Sequence, residues 1–364
     1  MPNKTLKNAK SARNDEFYTQ WTDVEREVQM YIEYNPDVFR NKTILCPCDD
    51  PEWSNFTKFF VLHFKDYGIK KLISTSYAPK KRIIEATYSA TEFEQNNSRY
   101  DESKSINNGK IFILERNENH KENTTNIDQL DWDYLSDDGD FRSKEVTNLR
   151  DEADIIITNP PFSLFREFMT WLIEADKQFL IIGSLNAITY KEIFPLIMNN
   201  RVWLGNNYRF NGGAMFYEIP ECIADLEKVR EVRKRDDGKN VYITRVQGIR
   251  WFTNIDHGRR HQPLTLMTVE DNMKFSKHSE IRGKTSYEKY DNFDAIDVPF
   301  IDAIPSDYNG MMGVPVSLLD KYCLEQFEIL GLDRYIAGNR TPNKRFTIND
   351  REVYARLVIR NKLA

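Results

Sequence analysis

The strongest constraint on the fold is an alternation running from Thr43 to Leu204, in which short apolar runs recur between segments of helical period. Thr43-Ile44-Leu45-Cys46, Lys71-Leu72-Ile73-Ser74, Ile155-Ile156-Ile157-Thr158, Phe179-Leu180-Ile181-Ile182-Gly183 and Arg201-Val202-Trp203-Leu204 read as strands. Helical spacing is predicted over Ser54 to Phe64, Lys144 to Glu152, Ser163 to Asp176 and Tyr190 to Met198, and over Asn14 to Met30 with Asn14 or Asp15 as N-cap. Strand, turn, helix and strand in succession build parallel sheets, so the fold class is α/β, a doubly wound Rossmann-like sheet. Such sheets bind ligands beyond the carboxyl ends of their strands.

At 364 residues the chain is long for one core. Residues 1–14 carry four basic and no acidic residues and read as a flexible arm. Residues 15–205 are expected to form the first domain, with a polar insertion at about 78–134 that contains one strand, Ile111-Phe112-Ile113-Leu114. Beyond Gly205 the α/β regularity gives way to mixed strands and loops, a mixed α+β region over 206–364, part of which is expected to pack back on the first domain. The four cysteines are too few and too scattered for a disulfide framework or a four-ligand zinc site. No apolar run approaches a membrane span and Met1-Pro2-Asn3-Lys4 opens no signal peptide, so a cytoplasmic protein without membrane contact is expected.

Net charge is −5, but the average hides an asymmetry. Residues 1–200 hold 25 basic and 33 acidic side chains, whereas residues 201–364 hold 26 and 23. Positive charge concentrates in Lys228 to Arg260, ten against four, and in Gly331 to Ala364, eight against three. Local basic surface attracts phosphates whatever the total charge; solvated faces are the alternative reading.

Chemistry gathers at the predicted strand ends. Asn159-Pro160-Pro161-Phe162 follows the Ile155 strand and can grip a planar exocyclic amine. The Asn159 amide oxygen and the Pro160 carbonyl can each accept one N–H, Phe162 can stack on the ring, and two prolines stiffen the loop. Methylation of that nitrogen is the natural chemistry. A methyl donor with a charged amino acid, a ribose and an adenine finds a candidate for each part. Asp15-Glu16-Phe17-Tyr18-Thr19 offers a hydroxyl and helix-start amides to a carboxylate. Asp49 and Asp50 suit an ammonium group, and Asp140-Phe141 pairs an acceptor with a ring for a purine. The bland alternatives are turn caps for the aspartates and core packing for the phenylalanine and for Cys46-Pro47-Cys48.

Asn14-Asp-Glu-Phe-Tyr-Thr-Gln20, Cys48-Asp-Asp-Pro51, Asp140-Phe-Arg-Ser143, Thr158-Asn-Pro-Pro-Phe-Ser-Leu-Phe-Arg-Glu167 and Val202-Trp-Leu-Gly205 together resemble the EcoRI-type family of adenine-N6 DNA methyltransferases. So do Tyr290-Asp-Asn-Phe-Asp-Ala-Ile296, Asp307-Tyr-Asn-Gly310, Met312-Gly-Val-Pro315 and Glu325-Gln-Phe-Glu-Ile329. The matches run in order from about residue 13 to the end. The resemblance implies S-adenosylmethionine as donor and no metal. Phe17, Tyr18 and Thr19 would lie near its methionine end, Cys46, Pro47, Asp49 and Asp50 around its amino acid and ribose, and Asp140 and Phe141 at its adenine. Asn159, Pro160, Pro161 and Phe162 would hold the target base. It also implies double-stranded DNA with a short adenine-containing site as partner, and residues 206–364 as the target-recognition region. The first turn has no Gly-rich loop, and the second strand ends in Ser74-Thr75-Ser76 where an acidic ribose ligand is common.

Adenine N6 is inaccessible to such a pocket inside a stacked duplex, so the base must be extruded. Base and phosphate contacts are sought in Asn206 to Gly213, Lys228 to Lys239, Gly258 to Gln262 and Lys284 to Lys289. His257 and His261 read as solvated loop residues. Monomeric action is expected, and partnership with a restriction endonuclease or a solitary, mobile-element role both stay open. A methyltransferase for RNA or a protein glutamine amide, and a DNA-binding protein without catalysis, are the rival readings.

Overall fold

Thr43–Cys46 is buried at every position, as an unalternating apolar run in a parallel sheet should be. This computed structural model describes residues 18–362 apart from 53, 79–91, 117–130, 206–213, 220–228, 235–237 and 239. The 1–14 arm, Asp15 to Phe17, the Tyr18 side chain, the 206–213 segment and much of the 78–134 insertion therefore lie outside the described residues.

In chain order the first elements are β1 (Tyr18–Thr19), α1 (Trp21–Tyr34), β2 (Thr43–Cys46), α2 (Asn55–Leu62), β3 (Lys71–Thr75), β4 (Lys110–Glu115) and β5 (Asp133–Tyr134). Then come α3 (Lys144–Glu152), β6 (Ile155–Thr158), α4 (Phe165–Glu174), β7 (Gln178–Ser184), α5 (Phe194–Met198) and β8 (Trp203–Leu204). β9 (Ala214–Ile219), β10 (Val229–Lys234), β11 (Asn240–Gln247) and β12 (Ile249–Thr253) follow. The C-terminal part adds α6 (Val269–Phe275), β13 (Ile296–Asp297), β14 (Met312–Pro315), β15 (Phe327–Leu332), β16 (Thr347–Ile348), β17 (Arg351–Glu352) and β18 (Arg356–Asn361).

Contacts divide the chain into two units, one of residues 1–187 and 205–255, the other of 188–204 and 256–364. In the first unit a large mixed sheet runs β5-β4-β3-β2-β6-β7-β12. Its centre is parallel, with Ile44 opposite both Leu72 and Ile155, and Ile156 opposite Phe179. Antiparallel strands flank it, β4 on β3 and β12 on β7. The fold is thus mixed α/β. Ile155, Ile156 and Ile157 are wholly buried, and each stabilises the sheet by roughly 1.5–3 kcal/mol.

The chain leaves β2 to one side, through β3, and returns on the other side at β6. At such a reversal the two strand-end loops diverge and leave a crevice between them. α2 is started by Ser54, whose side chain accepts from the Phe56 N–H, and buries Phe56, Phe59 and Phe60. α4 buries Phe165, Phe168, Met169, Trp171 and Leu172, one stripe at helical spacing.

A second sheet of this unit, β1-β9-β11-β10, is antiparallel throughout, and Thr19 lies opposite Tyr217. Gly205 has the buried Glu27 against its backbone, and a Cβ there would meet a Glu27 carboxylate oxygen at 1.9 Å. The glycine in Val202-Trp-Leu-Gly205 is therefore required by packing. In the second unit the sheet order is β13-β14-β18-β15, with Arg356 Nε and the Tyr290 hydroxyl both donating to Asp297 Oδ1 in its core, at 2.7 and 2.6 Å.

Three local expectations need correction. The described part of the first helix begins at Trp21 after Gln20, because Tyr18 and Thr19 are spent on pairing with β9. The expected Tyr190–Met198 helix is confined to Phe194–Met198, where Pro195 suits a first turn. The helix expected from Ser163 starts at Phe165, after a 3-10 turn over Phe162–Leu164.

Candidate active site

Two strand ends make the centre of the site. β6 stops at Thr158 because Asn159 is followed by Pro160, which has no N–H to give the ladder. Asn159 and Pro160 are buried, while Pro161 and Phe162 are half-buried, the Phe162 ring leaning on the main core. The loop is closed by the Leu164 N–H donating to the Pro161 carbonyl at 3.0 Å, which opens the 3-10 turn before α4.

Beside it, the loop after β2 is organised around Asp49, which is only 5% exposed. Asp49 Oδ1 accepts from Ser54 Oγ at 2.7 Å and Oδ2 from Thr158 Oγ1 at 2.5 Å. Thr158 Oγ1 also accepts from the Cys48 N–H at 3.2 Å. A single hydroxyl thus ties the Cys46–Asp50 loop to the residue preceding Asn159. The backbone is pinned as well. The Asp49 N–H donates to the Thr75 carbonyl, Ser74 Oγ to the Asp49 carbonyl, and Thr75 Oγ1 to the Pro47 carbonyl. Ser74 and Thr75 therefore hold the Cys46–Asp50 loop through its backbone.

Asp50 differs from its neighbour. It is half-buried, its Oδ1 accepts from the Glu52 N–H at 2.9 Å, and Oδ2 accepts no hydrogen bond among the described residues, although the Lys110 ammonium is near enough to interact with the carboxylate. A carboxylate with one oxygen in its own turn and the other open suits a cationic ligand group. Cys46 is wholly buried, and burial, with Asp49 nearby, pushes its thiol well above the ordinary value. Thr19 is buried, and its carbonyl accepts from Asn55 Nδ2 at 2.7 Å, which ties β1 to the start of α2.

The segment carrying Asp140 and Phe141 is brought to the end of β3 by a glycine contact. Gly139 has φ +77°, and a Cβ there would sit 2.1 Å from the Ser76 carbonyl oxygen. No other residue fits both constraints. The Asp140 carboxylate accepts from Arg142 Nε at 2.9 Å and Nη2 at 2.7 Å, while Arg142 Nη1 reaches Glu167 at 2.8 Å. Phe141 is buried, edge-on to Phe168 and Trp171 with ring centres 4.9 and 5.5 Å away.

A buried ion cluster underlies the same side. Lys110 Nζ donates to Glu52 at 2.5 Å, lies 3.4 Å from Glu94, and stands 4.4 Å above the Trp132 ring. Burial disfavours the ammonium, yet Asp50, Glu52 and Glu94 outweigh it and raise the Lys110 pKa. The cation therefore holds the Asp50–Glu52 turn onto β4.

The structure thus gathers Asp49, Asp50, Cys48, Asn159, Pro160 and Phe162 at two adjacent strand ends, and Asp140 at the loop that packs on Ser76. Residue reading missed Thr158, Ser54, Lys110 and Arg142. Thr158 reads in sequence as the close of an apolar run, and Lys110, just before the Ile111 strand, carries no local signal. His257, expected to be solvated, is buried, with Nε2 3.1 Å from the Leu204 carbonyl, and burial lowers its pKa to about 4.

Among the described residues, no helix is long and apolar enough to cross a membrane. The family described as adenine-specific methyltransferase EcoRI matches residues 5–362. The Type II methyltransferase M.EcoRI of Escherichia coli is 38% identical over 360 residues, covering 99% of this chain and 97% of that protein. The Type II methyltransferase M.MpnI of Mycoplasma pneumoniae is 32% identical over 324 residues, 88% of this chain and 83% of its own. M.MgeORF184P of Mycoplasma genitalium is 34% identical over 323 residues, 88% and 84%. No solved structure matches significantly.

A mixed sheet with two ligand-type loops tied at one hydroxyl, and relatives of this kind, define an enzyme of the DNA methyltransferase class. Within that class the chain belongs to the EcoRI adenine-specific methyltransferase family, which it matches over nearly its whole length.

Proposed function

We propose that this enzyme transfers a methyl group from S-adenosylmethionine to N6 of an adenine extruded from duplex DNA at a short specific site. The observation that carries the reading is the clasp of Asp49 by Ser54 and Thr158, which fixes the loop after β2 beside the Asn159-Pro160-Pro161-Phe162 loop. Donor and acceptor must approach in line, and two loops fixed at one hydroxyl favour that alignment.

The residues present fit the donor. Asp50, with an oxygen open to a cation, would hold its ammonium group; Thr19 and the Phe17-Tyr18 segment would border its methionine end, and Asp140-Phe141 its purine. Asp49 would act as the anchor of the Cys46-Pro47-Cys48 turn. Bound there, S-adenosylmethionine supplies an electrophilic methyl group.

The chain's own residues handle the amine. The Asn159 amide oxygen and the Pro160 carbonyl would accept its two N–H groups, turning the nitrogen lone pair outward, while Pro161 fixes the turn and Phe162 replaces lost base stacking. The parallel centre of the sheet is taken as the doubly wound, Rossmann-like core of the catalytic domain, residues 15–205. Residues 206–364 are assigned to target recognition. We place the enzyme in the cytoplasm with the nucleoid, acting as a monomer, either paired with a restriction endonuclease or alone.

Incubating purified protein with radiolabelled S-adenosylmethionine and duplex DNA, RNA or bulk protein tests the substrate directly. Label in N6-methyladenine of duplex DNA is expected. Label confined to RNA or protein amide would contradict the assignment.

A further inference from the structure

Residues 334–349 contain four basic side chains, Arg334, Arg340, Lys344 and Arg345, and no acidic one. Between the end of β15 and the start of β16 this stretch has no helix or strand, yet it is fixed from beneath by two buried amides. Asn339 Nδ2 donates to the carbonyls of Asp333 and Lys344 at 2.8 and 3.0 Å, and its Oδ1 accepts from Thr341 N and Oγ1 at 2.9 and 3.0 Å. Asn292 Nδ2 donates to Thr341 Oγ1 at 2.6 Å and the Arg345 carbonyl at 3.0 Å, and its Oδ1 accepts from the Thr347 N–H at 3.0 Å. The Asn292 carbonyl accepts from the Arg340 N–H. Asn292 lies in the Tyr290-to-Ile296 motif, whose Tyr290 and Phe293 fill the small core under the loop.

The upper side of the loop faces water. Arg334, Arg340 and Lys344 are exposed, and none is in an ion pair among the described residues. Some exposed cations elsewhere in this unit are paired, as Lys274 with Glu270, Lys284 with Glu288 and Arg360 with Glu328, whereas Arg282, Lys289 and Arg351 also stand outside any ion pair among the described residues. At the tip Asn343 stands exposed with φ +64°, in the turn closed by the Lys344 N–H donating to the Thr341 carbonyl. Tyr354, a few residues on, is 83% exposed. An irregular loop held rigid by buried side chains, with exposed cations outside any ion pair on its outer side, Arg340 Nη1 donating only to the Asp291 carbonyl at 3.3 Å, is organised to bind rather than to connect.

We propose that the Arg334–Arg345 loop is a preorganised docking surface for the substrate duplex. Arg334, Arg340 and Lys344 contact phosphates, and Asn343 is presented to base edges, where an amide pairs well with adenine. This rests on the DNA reading above and adds the element that engages the duplex. Charge complementarity selects nucleic acid as occupant, and rigidity reduces the ordering cost of binding.

The test uses full-length enzyme carrying Arg334→Gln, Arg340→Gln and Lys344→Gln together, with DNA affinity measured across salt concentrations. DNA Kd should rise about 10- to 100-fold at 0.1 M salt, and the log–log salt slope should fall by about 2–3, three phosphate contacts' worth. Donor KM and melting temperature should stay unchanged. Asn339→Ala, which keeps every charge, should also weaken DNA binding by about tenfold, as a loosened loop must be reordered. Unaltered Kd and slope in the triple variant would overturn the docking role, and unaltered Kd in folded Asn339→Ala would overturn the preorganisation. Wild-type protein that transfers no methyl to duplex DNA would instead contradict the proposed function, so the two failures are distinguishable.

Discussion

The Thr158 hydroxyl donates to Asp49 Oδ2 across 109 positions of sequence, and through it the β2 loop and the β6 loop become one unit. The same oxygen accepts from Cys48, so neither loop moves without the other losing a partner. The residue at the end of the Ile155 strand is thus more than a strand terminus.

Thr158→Val keeps the shape and removes both hydrogen bonds. Leaving buried polar groups unmatched should cost about 1–3 kcal/mol of stability, read by denaturant unfolding. Methyl transfer should fall further than stability explains, with donor KM raised, and Thr158→Ser should restore most of both. A Val variant with wild-type kinetics would separate the clasp from catalysis.

Lys110→Met removes the cation between Glu52 and Glu94. Breaking a buried pair from one side typically costs about 3–5 kcal/mol, because the remaining charges stay buried. Donor affinity should drop in step, since Glu52 sits two residues from Asp50. Calorimetric titration of the folded variant with donor checks this, and unchanged affinity would mean that the ion cluster serves folding alone.

Histidines 257 and 261 should give opposite pH signatures. Burial lowers the His257 pKa to about 4, below the unfolded value of about 6.5. Its contribution, of order 3 kcal/mol, is present above about pH 6.5 and is lost as pH falls toward 4. His261 is partly desolvated, but hydrogen bonds to Glu325 and Asp256 raise its pKa. Its contribution is present below about pH 6.5 and is lost as pH rises through the raised value. Unfolding free energies from pH 4 to 8 should therefore show a shallower acid-side slope in His257→Gln, the remainder coming from carboxylates such as Asp302 whose pKa is lowered, and a smaller near-neutral loss in His261→Gln. Identical pH profiles in all three proteins would contradict these environments.

The strands at Thr43, Lys71, Ile155 and Phe179 were legible because contiguous burial writes itself as contiguous apolar sequence. The Asn-Pro-Pro-Phe loop was legible because two prolines after an amide mark a stiff strand end. What escaped is long-range. Thr19 pairs with Tyr217, and nothing near either residue announces the other. Lys110 meets Glu52 and Glu94 only after β4 has joined β3, so a strand-edge lysine gave no sign of burial. The weight of Asn292 and Asn339 is equally invisible locally, since an asparagine in a loop reads as a turn residue until its partners are placed.

The most direct test of the account is modification-sensitive long-read sequencing of DNA from cells expressing either the wild-type chain or Asn159→Ala. Wild type should leave N6-methyladenine at one fixed position of one short motif, and Asn159→Ala should leave none while the purified variant still binds the donor. No enriched modified adenine with wild type, or an unchanged methylated motif with Asn159→Ala, would contradict the claim that this loop delivers the methyl group to adenine.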